Sequence, residues 1–128
     1  MTPKLYHERV YLPPDLEYPD GSTSIVLSYT QHAKQAAKND RFGNLTKFLP
    51  SELYPNDWKL IEVQALGYDI LSLLYTRTIY GKGLKLALAV SPTGTVKTVW
   101  ANGAYFNFDR LDTSRYVKPP KSPVEGWG

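Results

Sequence analysis

From Trp58 onward, apolar and polar residues alternate with a period of two, the pattern of strands with one buried face. Four such stretches follow one another: Trp58–Leu66, Ile70–Tyr80, Leu84–Val90 and Thr95–Asn102. Gly67-Tyr68-Asp69, Gly81-Lys82-Gly83 and Ser91-Pro92-Thr93-Gly94 join them, each short and each carrying turn chemistry. Connections of this length join antiparallel neighbours, so the pattern predicts a four-stranded meander.

Upstream the spacing changes. Ala33, Ala36 and Ala37 form a narrow apolar stripe at helical spacing, small enough to let a helix approach a sheet closely. Ser28 with Gln31 three residues later reads as a capping box, and Gly43 as the terminator. The helix is expected over Tyr29–Arg41. Residues 1–27 hold Pro3, Pro13, Pro14, Pro19 and the turn Asp20-Gly21, which bar a long helix and leave room for one short strand at Ser24–Leu27. Residues 118–128, with Pro119-Pro120, form a second such arm, and Leu111–Tyr116 has the length of one helical turn. The expected fold is therefore α+β: one N-terminal helix packed on a four-stranded antiparallel meander sheet, spanning residues 28–117 between proline-rich N- and C-terminal arms.

Composition adds bounds. The 128 residues are enough for one core, and 42% hydrophobic with 21% charged residues describe an ordinary globular chain. There is no cysteine, which excludes disulfides and thiolate metal sites and fits a reducing cytosol. No apolar run reaches membrane-spanning length, and the N-terminus lacks a charged-then-apolar leader pattern, so neither a membrane nor export is expected. The net charge of +3 permits an RNA, DNA or acidic partner without requiring one. Ten tyrosines, four phenylalanines and three tryptophans suit cores, interfaces and base stacking alike.

A few residues carry candidate chemistry. Arg77 stands in the apolar row Leu71, Leu73, Tyr75, Ile79. If the tight turns set the register, it lies opposite Leu86 and Leu86 opposite Trp100, which puts Arg77 on the same face as Thr98, Trp100 and Asn102. An arginine beside a threonine hydroxyl and an asparagine makes a phosphate cradle; the alternative is an arginine at the core edge whose stem snorkels. His32, in the first helical turn, is a residue type suited to general acid–base work, or is a plain surface histidine. His7, in the arm, has less to recommend it. Lys34, Lys38 and Arg41 lie along one helix side as a phosphate footprint or a solvated face. No Walker loop, GxSxG or HExxH occurs. Glu62, Asp109 and Asp112 lack metal-ligand spacing, so no metal or cofactor is expected.

The order of these segments resembles a family. The run Tyr29–Gly43, then Tyr75-Thr76-Arg77, then Val96–Asn102 and Leu111–Tyr116 resembles small bacteriophage-encoded proteins and the wider RelE and colicin D class of metal-independent ribonuclease toxins. The resemblance covers about residues 28–117. It implies a helix on a four-stranded sheet, with His32 as acid–base residue, Arg77 neutralising the scissile phosphate, Thr98 adding a hydroxyl and Tyr116 stacking on a base or helping to position the phosphate. The chain departs from these relatives at Gly103–Phe108, which is aromatic where they carry an acidic residue and a histidine. Two functions are therefore expected: a ribonuclease-like domain acting on or binding RNA, or a non-catalytic virion or complex component that docks protein through Tyr105, Phe106 and Phe108. Either would work in the host cytoplasm or in the virion.

Overall fold

The computed structural model describes residues 3–7, 23–67, 69–79 and 81–103. Its strands are β1 (Lys4–His7), β2 (Ile25–Val26), β3 (Ser28–Tyr29), β4 (Glu52–Leu53), β5 (Lys59–Leu66), β6 (Asp69–Ile79), β7 (Leu84–Val90) and β8 (Thr95–Gly103). Among the described residues one helix, α1, spans Gln31–Lys38, and 3₁₀ turns lie at Thr46–Phe48 and Pro55–Asp57.

The expected helix on a four-stranded antiparallel meander is overturned. The chain forms a six-stranded mixed sheet in the order β1-β5-β6-β7-β8-β3, with a separate two-stranded sheet of β2 and β4. β1 adds antiparallel to β5, and β3 adds parallel to β8, with Ser28 opposite Thr95 and Tyr29 opposite Val96. The added strands are too short for a two-residue period to register in the sequence. Backbone hydrogen bonds make them: Ser28 N–H donates to the Gly94 carbonyl at 2.9 Å and Thr30 N–H to the Val96 carbonyl at 3.1 Å.

That ladder also moves the helix start. Ser28 and Tyr29 are extended, so Ser28 cannot cap; Thr30 does, its Oγ1 accepting the Ala33 N–H at 3.0 Å. At the other end the Asn39 N–H still donates to the Gln35 carbonyl, but Asp40 leaves the helix. Its carboxylate accepts the Phe42 N–H at 2.9 Å and, across to the sheet, the Ala101 N–H at 3.2 Å. The helix end thus satisfies a backbone group of β8 beyond the reach of the short β3, a way of closing a sheet edge.

The main core lies on the face that α1 covers. Leu73, Tyr75, Leu86, Leu88, Val90, Val96, Val99 and Ala101 supply the sheet side, and Ala33 and Ala37, fully buried, let the helix seat closely. Tyr6, Ile25 and Leu27 join this core although they lie in the stretch read as an irregular arm. A smaller cluster of Ile61, Leu74 and Ala87, with Ala89 and Trp100 against it, occupies the opposite face. β7 is therefore apolar on both sides, which explains its nearly continuous Leu-Ala-Leu-Ala-Val run.

Candidate functional site

Register decides which candidate residues meet. Arg77 pairs with Leu86, as expected, but Leu86 pairs with Ala101, whereas Trp100 pairs with Ala87 and Thr98 with Ala89. The displacement is one residue, accompanied by an irregularity between Ala89 and Val90. One residue is enough to send every side chain to the other face. Arg77 thus belongs to the α1 side of the sheet, Thr98 and Trp100 to the opposite side. Two strands across and three residues along also separate the Arg77 and Thr98 backbones by about 14 Å. His32 is exposed on α1 and lines neither residue's hollow. The proposed catalytic set is not brought together.

Thr98 instead borders a shallow hollow with Asn39, Asp40, Arg41, Trp100 and Asn102. Here the Arg41 guanidinium donates to Oδ1 of the buried Asn102 and lies 4.9 Å from the centre of the Phe42 ring. Arg41 follows the helix and is tied to the sheet, so it does not continue the exposed row of Lys34 and Lys38. Tyr105, Phe106, Phe108 and Tyr116 lie outside the described residues, as do Pro13-Pro14, Pro119-Pro120 and the Leu111–Tyr116 turn.

A different grouping forms where β6 outruns β5. β5 begins at Lys59, opposite Thr76, so Arg77, Thr78 and Ile79 extend past it while still pairing with Leu86, Lys85 and Leu84 of β7. Trp58 and the Pro55–Asp57 turn sit at the step. Two hollows flank the end of β6 there, one on each face of the sheet, and Arg77 and Thr78 border both. One is walled by Asp57, Lys59, Thr76 and Lys85. The other, of about 300 Å³, is walled by Phe48, Pro50, Trp58, Ile79 and Leu86.

The first hollow lies on the face away from α1, where Lys59 and Lys85 stand beside Thr76 and Thr78 with Asp57 nearby, and Arg77 borders it from the α1 face. Lys59 and Lys85 each hold other interactions as well. Arg77 is exposed, and its guanidinium carbon stands 5.6 Å from the centre of the Trp58 ring. Trp58 is buried, so the indole is a fixed plate that braces the arginine head by a cation–π contact. Pro50 is tied to β3, where the Tyr29 hydroxyl donates to the Pro50 carbonyl at 2.6 Å. Burial pushes the Tyr29 phenol up to about 12 and raises that of Tyr75, keeping both neutral at ordinary pH.

Sequence reasoning singled out Arg77 but missed Lys59, Lys85, Thr76 and Thr78. The signal was present: Thr76 and Thr78 alternate with Arg77, and Lys85 interrupts an apolar run. Which ends of three strands coincide could not be read without the register.

No protein-family model matches the chain, and neither does any curated protein or any solved structure. Among the described residues, no helix is long and apolar enough to cross a membrane, and no three His, Asp or Glu side chains are grouped to hold a metal ion.

Proposed function

We propose that this chain binds single-stranded RNA through its phosphates at the exposed end of β5, β6 and β7, and that the set of His32, Arg77 and Thr98 does not cleave it. The observation that carries this reading is the grouping of cations around the exposed end of β6, with Lys59 and Lys85 beside Thr76 and Thr78 on the face away from α1 and Arg77, braced on Trp58, at the edge from the other face. Guanidinium and ammonium groups beside hydroxyls suit phosphate oxygens, arginine as a planar fork and lysine as a point charge. The resemblance to metal-independent ribonuclease domains supports RNA as the polyanion. The opposite faces of Arg77 and Thr98 argue against one catalytic centre, because proton transfer and phosphate neutralisation require hydrogen-bond reach.

The test is fluorescence anisotropy with a labelled, mixed-sequence single-stranded RNA. Lys59→Ala, Arg77→Ala and Lys85→Ala should each weaken binding several-fold, with Lys34→Ala and Lys38→Ala close to wild type. The RNA should remain intact in EDTA. Loss of binding in the helix variants, with the three strand-end variants unchanged, would move the site to α1 and overturn the reading.

A further inference from the structure

The two hollows lie on opposite faces at the end of β6, and both reach Thr78. The ladder fixes which way the Thr78 backbone points. Asp40 accepts the Ala101 N–H from outside the sheet, so Ala101 exchanges no backbone bonds with Leu86, and Leu86 exchanges them with Arg77 instead. Thr78, one residue on, therefore turns its N–H and C=O away from β7, towards the side where β5 would lie. β5 begins at Lys59, opposite Thr76, and no strand among the described residues pairs with Thr78 on that side. We infer that this step receives an extended segment of a partner protein as an added strand. One aliphatic side chain of the segment enters the hollow on the α1 face, and the adjacent acidic side chain meets Lys59 and Lys85 on the other.

Strand geometry matches the two hollows. Successive side chains of a strand point to opposite faces, and a strand added about 4.8 Å from β6 supplies one to each. On the α1 face the walls are Phe48, Pro50, Trp58, Ile79 and Leu86. Arg77 already lies over the Trp58 ring and Lys47 over that of Phe48, so this hollow suits a compact aliphatic side chain rather than a flat ring. On the other face Lys59 and Lys85 outnumber the carboxylate of Asp57, which complements an aspartate or glutamate. The regulatory consequence rests on the reading above: the acidic side chain takes the lysines that hold phosphate, so the partner displaces RNA.

The experiment offers the full chain two labelled, end-blocked hexapeptides, Ser-Ser-Val-Glu-Ser-Ser and Ser-Ser-Val-Ser-Glu-Ser, equal in composition and charge. Only the first places valine and glutamate on opposite faces of one strand. It should bind more tightly by at least about tenfold, the worth of one hydrogen bond to a charged group. Methylating its main-chain nitrogens removes the donors a strand needs and should abolish binding with the protein unaltered. Thr78→Pro, which removes the outward N–H at an edge position that accommodates proline, should do the same from the other side. The first peptide should release bound RNA. Equal binding of the two hexapeptides, or undiminished binding after methylation, would overturn strand addition, since charge alone would then decide. RNA binding with no binding of either peptide would overturn this inference and leave the phosphate reading standing. Binding of the first peptide that leaves RNA in place would support the strand site and overturn the phosphate reading. Binding of neither peptide nor RNA would overturn both.

Discussion

Gly94→Ala tests the feature that most changes the architecture, the placement of the N-terminal strands against the β7–β8 connection. Gly94 has φ +102°, and its carbonyl accepts the Ser28 N–H that begins the parallel ladder. A methyl group there would collide with the backbone carbonyl of Val26 and come within 3.2 Å of Ile25 Cγ2. Two effects add. Holding alanine at a left-handed φ costs about 1–2 kcal/mol. Relieving a clash with backbone requires β2 to move off the turn, and overpacking of this kind costs about 1–3 kcal/mol more. The sum, about 2–5 kcal/mol, is a large share of the about 5–15 kcal/mol that holds a domain folded.

Gly81→Ala separates the two contributions. Gly81 has φ +80° but open space around its would-be Cβ, so only the conformational part applies, about 1–2 kcal/mol. Urea unfolding followed by tryptophan fluorescence, with wild type and both variants at one temperature, gives the difference directly. Gly94→Ala should be the less stable variant by at least about 1 kcal/mol. Equal destabilisation of the two would mean that β2 does not lie on the turn. The reasoning that makes the sheet mixed would then fail.

Three other outcomes follow from the same packing. Ala37 is fully buried between α1 and the sheet, so Ala37→Leu should overpack it and lower stability by about 1–3 kcal/mol in the same assay; a change near zero would put that side of the helix in solvent. Thr30→Ala removes the oxygen that accepts the Ala33 N–H and should cost about 1 kcal/mol, with Thr30→Ser restoring most of it. Because burial raises the Tyr29 phenol to about 12, the folded state keeps its proton where the unfolded chain loses it. The stability Tyr29 contributes is thus present below about pH 10 and is lost as pH rises towards 12. Urea midpoints of wild type and Tyr29→Phe should accordingly draw together across that interval, and a gap that stays constant would contradict the assignment.

Long elements were legible from the sequence and short ones were not. β6 and β7 announce themselves because eleven and seven residues leave a clear period, and glycine-bearing turns mark where they stop. β3 has two residues, and its two-residue pairing with β8 leaves no period for a reader to find. The helix was legible through Ala33 and Ala37, but its start was misplaced because Ser28, a good cap by residue type, is held extended by the Gly94 carbonyl. Arg77 was recognisable as an oddity in an apolar row. Its expected companions were wrong because pairing Leu86 with Ala101 instead of Trp100 moves Thr98 to the opposite face. Lys59 and Lys85 lie 26 positions apart and look like ordinary strand-end lysines until β6 is seen to pair with both strands.

The salt dependence of RNA affinity tests the phosphate cradle most directly, since releasing counterions from a neutralised backbone leaves a quantitative signature. Each phosphate contact on a single strand contributes a slope of about −0.7 in log K against log salt, so three cations in the cradle give about −2. Anisotropy titrations of wild type and the combined Lys59→Ala, Arg77→Ala, Lys85→Ala variant across a salt series read this slope. The account predicts that the variant loses about two units of slope along with most of its affinity at low salt. A variant that folds, binds RNA and keeps the wild-type slope would contradict it, because the phosphates would then be held elsewhere on the chain.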